Sequence, residues 1–192
     1  MPTTRAMQAD FRVVLDACVL ANAGLCDLFL RLAEPPRLYL PVWSSQILDE
    51  VRTTQTEKLK KPYSRELAEF WRQEVCRSFP EASVTGFEML LPVVTNEEKD
   101  RHVVAAAVKA GASLIVTFNL RHFPATALKP WDIDVLHPQD YLLTLYSMNP
   151  GVVMGKLAAI AQEDGRELQD VAIHLGKSVP AFSCQILEAL GN

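Results

Sequence analysis

The sequence lacks any long apolar stretch. No run approaches the roughly 20 apolar residues that a membrane-spanning helix requires. Residues 1–10 also lack the continuous apolar core of a secretory signal peptide. We therefore expect a cytoplasmic protein with no membrane partner. The 4 cysteines form neither a CxxC motif nor the Cys/His spacing of a zinc site, which favours buried thiols over disulfides.

An excess of basic residues is also missing. The chain has 19 Lys plus Arg against 23 Asp plus Glu, so its formal net charge is -4. Proteins that coat nucleic acid through bulk charge are basic, and any nucleic-acid contact here must come from local patches. Hydrophobic residues make up 49% and charged residues 22% of the 192 residues, as in folded globular proteins.

Short apolar runs alternate with helical patterns over residues 11–146. Strands are predicted at 11–15, 38–42, 82–84, 114–117 and 133–136, and the main helices at 20–32, 45–51, 65–78, 95–110 and 138–146. This alternation predicts an α/β fold, a parallel sheet of about four to five strands covered by helices on both faces.

After a break at residues 147–151, only helical patterns follow, at 152–162, 168–175 and 179–190. We expect one domain over residues 11–146 and a small all-α appendage over residues 151–192. An appendage of about 40 residues is too small for a stable core of its own. It must therefore dock on the domain, on a second copy or on a partner.

Polar residues follow two of the predicted buried strands. Asp16 comes directly after the apolar residues 13–15, and Asn119 comes just after the strand at 114–117. Ligands gather at the carboxyl ends of strands in such sheets, so both are candidate site residues. The alternatives are a helix cap for Asp16 and a turn for Asn119.

Two further acids belong to helices. Thr95 and Glu98 have the spacing of a capping box for the helix at 95–110, and Gly111 would end it. Asp100 lies on the apolar face of that helix, where an acid needs either a basic partner or a metal ion. Glu50 lies on the short helix after the second strand. It is either a further acid of the site or a residue on a solvated helix face.

If the three acids converge, they require a cation. Two carboxylates about 4 Å apart repel by roughly 4 kcal/mol at an effective dielectric constant near 20. Mg²⁺ and Mn²⁺ are hard cations that accept oxygen ligands and leave positions open for water and phosphate oxygens. A phosphodiester is therefore the natural substrate class.

These residues carry a resemblance to the PIN domain family. The matching blocks are residues 14–20, 47–51, 100–107 and 115–124. The most specific feature is an Asp-Arg-His helix followed by a strand that ends in Thr-x-Asn-x-x-x-Phe-Pro. The resemblance covers residues 11–146, and the last helices resemble the C-terminal region of one subgroup of bacterial VapC-type toxins.

The resemblance implies a metal-dependent endoribonuclease, the toxin of a type II toxin–antitoxin pair, which cleaves RNA and is inhibited by a cognate antitoxin protein. The resemblance is also compatible with a protein that forms a homodimer. Asp16 and Asp100 would bind Mg²⁺ or Mn²⁺, with Glu50 as the third acid. Asn119 falls where many family members have a fourth Asp, and it offers an oxygen without charge.

The resemblance also suggests three residues that bind substrate: Thr117, Arg121 and His122. At the position of His122, relatives often have another Asp. The most basic local segment, a second candidate for RNA contact, contains Lys58, Lys60, Lys61 and Arg65. His102 lies two residues after Asp100, about 200° around a helix, which indicates a structural role.

Other phosphate-handling folds lack their required residues here. There is no paired acid before the first strand and no late strand-end Lys, as a phosphotransfer receiver requires, and no Asp-x-Asp at the first strand, as in haloacid-dehalogenase-like phosphatases. The remaining alternative is a catalytically inactive PIN scaffold that binds RNA or protein. Metal-dependent turnover discriminates between the two.

Overall fold

The computed structural model describes residues 10–191 and contains a parallel sheet of five strands in the order β3-β2-β1-β4-β5. The strands are β1 (Arg12–Leu15), β2 (Leu40–Ser44), β3 (Ser83–Val84), β4 (Leu114–Val116) and β5 (Asp134–Leu136). The predicted α/β fold is confirmed. The second strand lies two residues later than predicted, because its register is set by pairing with β1, Arg12 lying opposite Leu40.

Helices connect and cover the strands. They are α1 (Ala17–Leu20), α2 (Ala23–Ala33), α3 (Ser45–Thr53), α4 (Arg65–Ser78), α5 (Arg101–Ala110), α6 (Ala125–Leu128), α7 (Pro138–Met148), α8 (Pro150–Glu163), α9 (Leu168–Leu175) and α10 (Pro180–Gly191). A π-helical turn, Thr54–Lys58, extends α3. None of the described helices has the length and apolarity needed to cross a membrane.

The centre of the sheet is buried on both faces. All side chains of β1 after Arg12, and all three of β4, are buried. Because successive side chains of a strand point to opposite faces, this burial requires helices on both sides. The chain proceeds outward from β1 through β2 to β3, then returns to place β4 on the other side of β1. The carboxyl ends of β1 and β4 therefore form the switch point of the sheet, where α/β proteins bind ligands.

Two helix boundaries differ from the prediction. The helix expected over 20–32 begins only at Ala23, because the side chain of Asn22 caps the N terminus of α2, and the short helix α1 precedes it. The capping box at Thr95 does not form. The Glu97 N–H bonds the carbonyl of His122, and α5 begins only at Arg101, after a 3₁₀ turn. As predicted, α5 ends at Gly111, whose φ of 64° is left-handed.

The last three helices pack on the sheet domain. Their buried apolar side chains, Val153, Leu157, Val171, Leu175, Phe182 and Ile186 among them, join the same hydrophobic core as the strands. The guanidinium of Arg31 on α2 donates to both carboxylate oxygens of Glu163 on α8, at 3.0 and 2.6 Å. Of the three alternatives for the appendage, docking on the domain is the one observed.

Candidate active site

A cleft of about 600 Å³ opens at the carboxyl ends of β1 and β4. The four residues predicted to form the site, Asp16, Glu50, Asp100 and Asn119, all line it. Lys58 and Lys99 line the same cleft. The fold thus brings together residues that are far apart in the sequence, and it places cations beside the acids.

Asp16 is the most firmly held of these acids and is only 3% exposed. Its Oδ1 accepts a hydrogen bond from the Ala17 N–H at 2.7 Å, which caps α1. Its Oδ2 accepts from the hydroxyl of Thr117 at 2.6 Å and from the thiol of Cys18 at 3.1 Å. Asp16 is therefore both a helix cap and a member of the cleft, so the two alternatives from the sequence hold together.

Thr117 ties the end of β4 to the end of β1. Its side chain is 0% exposed, and its oxygen accepts the Asn119 N–H at 3.0 Å while its hydroxyl donates to Asp16. The expectation that Thr117 binds substrate therefore needs correction, since a fully buried hydroxyl cannot contact RNA. Its contacts instead fix the position of the Asp16 carboxylate.

Asp100 immediately precedes α5 and is 8% exposed. Burial raises the pKa of this carboxyl above its usual value, and the negative charge of Asp16 adds to the effect. His122 and Lys99 oppose the rise in pKa, and Glu50 adds a smaller contribution to it. Asp100 is thus an inward-facing acid, as its place on the apolar face of the helix indicated.

Glu50 extends from α3 toward α5. Its Oε1 lies 2.9 Å from Nε2 of His102, which is 2% exposed. His102 was expected to be structural because it points away from Asp100 along the helix. The structure shows that it meets a different acid of the cleft, one that comes from another helix.

His122 is buried as well, at 9% exposure, and its Nδ1 lies 2.9 Å from Oδ2 of Asp100. The exposed Arg121 donates from Nε to Nε2 of His122 at 3.2 Å. In the basic segment, Lys58 reaches the cleft because the π-helical turn carries it there. The other basic residues of that segment, Lys60, Lys61 and Arg65, are exposed and lie outside the lining.

Cys18 is a member of the cleft that the sequence did not single out. Its thiol contacts Asp16 and lies 3.4 Å from the Thr117 hydroxyl. Burial, and then the charge of Asp16, raise the pKa of this thiol to about 12. A thiol that stays protonated at neutral pH is a poor nucleophile, so Cys18 acts here as a hydrogen-bond donor.

The sequence pattern of the PIN domain family matches residues 12–121, which include β1, β4 and every acid of the cleft. The chain belongs to the PIN domain family. It is also 40% identical over 106 residues to a protein of Mycobacterium tuberculosis (strain ATCC 25618 / H37Rv) named "Putative ribonuclease VapC50". That alignment covers 52% of this chain and 61% of the relative, so the chain spans less than two thirds of the relative's length. No solved structure matches the chain.

The resemblance to a VapC-type PIN domain is confirmed by these two matches. The family match ends at Arg121, one residue before His122, and it does not include the helices from α6 onward. The contact between His122 and Asp100 and the docked C-terminal helices are therefore features of this chain beyond the matched region.

The PIN domain site has the chemistry of a hard-cation site without being a closed one. Within residues 10–191, no three His, Cys, Asp or Glu side chains are gathered closely enough to hold a metal ion. The donors nevertheless fit Mg²⁺ or Mn²⁺, because the carboxylates of Asp16, Glu50 and Asp100 line one cleft, and oxygen is the ligand that these hard cations prefer. Burial, and then the negative charge of Asp16, raise the pKa of Asp100, and a cation would relieve the repulsion between the two carboxylates.

Proposed function

We propose that this PIN domain protein is a Mg²⁺- or Mn²⁺-dependent endoribonuclease, the toxin of a type II toxin–antitoxin pair, inhibited by a cognate antitoxin protein. The observation that carries the proposal is the convergence of Asp16, Glu50 and Asp100 on one cleft that also contains Lys58 and Lys99. The name of the mycobacterial relative, a ribonuclease, supports RNA as the substrate.

Asp16 and Asp100 would hold the metal ion, with Glu50 as the third acid and Asn119 as a neutral oxygen donor. Such an ion would lower the pKa of a bound water and neutralise charge on the phosphate of the scissile bond. The hydrogen bonds from Ala17 and Thr117 fix Asp16 before any ligand binds, which reduces the reorganisation needed on binding.

The two lysines supply the contacts with the RNA backbone. Lys58 and Lys99 lie on the cleft walls with exposed, flexible side chains, and an ammonium group binds phosphate as a point charge. They would hold the phosphates that flank the cut. Arg121, which is exposed beside His122, is a further candidate for the same role.

An inactive PIN scaffold that binds RNA or protein is the second candidate. Asn119 brings no charge, and the described acids are not already gathered into a metal-binding group. Such a scaffold would bind RNA through its lysines and would bind no metal ion at Asp16. The two candidates therefore predict opposite results in a metal titration.

The test is cleavage of RNA by the purified protein with Mg²⁺, with Mn²⁺ and with EDTA, beside Asp16→Asn and Asp100→Asn. Asp49→Asn is a matched control, because Asp49 is a carboxylate on the same helix as Glu50 but pairs with Arg72 outside the cleft. We expect cleavage that requires metal, is abolished in the two site variants and persists in the control.

Undiminished cleavage in EDTA would contradict the metal requirement, and full activity of Asp16→Asn would contradict the assignment of the site. The toxin role is tested in cells, where expression of the unaltered chain would arrest growth and Asp16→Asn would not. Growth arrest by both proteins would show that toxicity does not come from this cleft.

A further inference from the structure

Two of the 4 histidines in the chain lie against acids of the cleft. Nε2 of His102 is 2.9 Å from Oε1 of Glu50, and Nδ1 of His122 is 2.9 Å from Oδ2 of Asp100. The other two have different surroundings. His137 caps α7, and His174 is exposed on α9.

Each contact joins an acid to a separate element of the fold. Glu50 is on α3 and its histidine is on α5, whereas Asp100 precedes α5 and its histidine lies in the 3₁₀ turn Leu120–His122 after β4. At 2.9 Å, a lone pair on nitrogen would repel the carboxylate oxygen, so each facing nitrogen carries a hydrogen. Neither contact has the geometry of a hydrogen bond in this structure, although contacts of this kind often become aligned only when substrate binds.

Glu50 and Asp100 need support that Asp16 already has. The Asp16 carboxylate accepts three hydrogen bonds from neighbouring groups. Within the described residues, the side chains of Glu50 and Asp100 accept none, and their only close donors are the two imidazoles. Like charges in one cleft push carboxylates apart, so unheld acids would turn away from it.

We propose that His102 and His122 are positioning residues, which hold the carboxylates of Glu50 and Asp100 in the cleft for metal binding. The inference rests on the proposed function. Each imidazole faces one carboxylate oxygen at 2.9 Å and would leave the other for the cleft. Outer partners of this kind commonly change metal affinity by about 10- to 100-fold when they are removed.

The two contacts use different ring nitrogens, and this provides a selective test. The amide nitrogen of Asn lies near the position of Nδ1 in a histidine, and that of Gln lies near Nε2. His122→Asn therefore keeps a donor toward Asp100, whereas His122→Gln and His122→Ala do not. For His102 the order is reversed, and Gln is the matched amide.

The readouts are Mn²⁺ binding by calorimetry and kcat and KM for RNA cleavage. We expect the Ala variants and the mismatched amides to bind Mn²⁺ at least about tenfold more weakly and to lose kcat with little change in KM. The matched amide at each position would recover most of both losses. His174→Asn would behave as the unaltered protein, because His174 contacts neither acid.

Thermal unfolding of every variant shows whether it is folded. His102 is so buried that the Ala variant is prone to unfold, and there the comparison of Gln with Asn, two folded amides, decides the question. Matched and mismatched amides with equal Mn²⁺ affinity, or Ala variants with unchanged affinity, would overturn the inference alone. No Mn²⁺ binding by the unaltered protein would overturn the metal-dependent function, and this inference with it.

Discussion

Replacement of Thr117 by Val tests whether the ends of β1 and β4 are joined through one hydroxyl. Val has nearly the same shape, so the change removes the oxygen and little else. The Asp16 carboxylate loses a donor at 2.6 Å, and the Asn119 N–H loses its acceptor at 3.0 Å. Asp16 keeps its bonds to the Ala17 N–H and the Cys18 thiol.

The magnitude follows from the two bonds. A hydrogen bond to a charged group contributes about 1.5 to 3 kcal/mol, and a neutral one about 1 kcal/mol. Thr117 and Asp16 are buried, so solvent does not replace what is lost. We therefore expect Thr117→Val to lower the free energy of unfolding by about 2.5 to 4 kcal/mol, a large part of the stability of a typical domain.

The assay is urea unfolding, with the stability compared at unchanged slope. Thr117→Ser is the matched control, since it keeps the hydroxyl and loses one methyl group, worth about 1 kcal/mol. A Val variant within about 0.5 kcal/mol of the unaltered protein would refute the reasoning. Equal losses for Ser and Val would show that packing of the methyl group, and not the hydroxyl, stabilises this position.

Three further predictions concern charge. Asp100→Asn should stabilise the metal-free protein at neutral pH, because folding raises the pKa of this carboxyl and ionisation then opposes folding. The gain should vanish below the ordinary pKa of 3.8, where the carboxyl is protonated in both states, and unfolding curves across pH measure it. Arg31→Ala should loosen α8, seen as faster amide exchange there. Because Arg31 lowers the pKa of Glu163, the ion pair should contribute to the stability of the folded protein above pH 4.5. This contribution should be lost as the pH falls below that value. Lys58→Ala and Lys99→Ala should each raise KM for RNA and leave kcat unchanged. Each should also reduce the slope of the logarithm of the binding constant against the logarithm of the salt concentration by about one.

The central strands and the positions of Asp16 and Asp100 in the fold could be predicted because their signals are local. An apolar run followed by a polar residue identified the ends of β1 and β4, and the sheet then brought Asp16 and Asn119 to one edge. The apolar stripe of the helix indicated correctly that Asp100 faces inward. Both signals depend only on the period of one element, which the sequence displays directly.

The histidine contacts could not be predicted in this way. Helical geometry places His102 relative to Asp100, but its partner Glu50 comes from another helix. His122 was a candidate for substrate binding, and it is buried because the turn after β4 packs against Asp100. The start of α5 was missed for the same reason, since the Glu97 N–H is bonded to the carbonyl of His122. In each case a contact between elements overrides the local pattern.

The C-terminal helices also bear on the cleft. Asn22 lines it, and the Asn22 side-chain amide donates to the hydroxyl of Ser178, which follows α9, at 2.9 Å. The Asn22 side chain also caps α2. Helix α8 packs on α2, and Arg31 of α2 bonds Glu163 of α8. One wall of the cleft is therefore held from both sides, by the sheet at Asp16 and by the last helices at Asn22. Part of this support, from Glu163 and Ser178, lies outside residues 12–121 that match the PIN domain family.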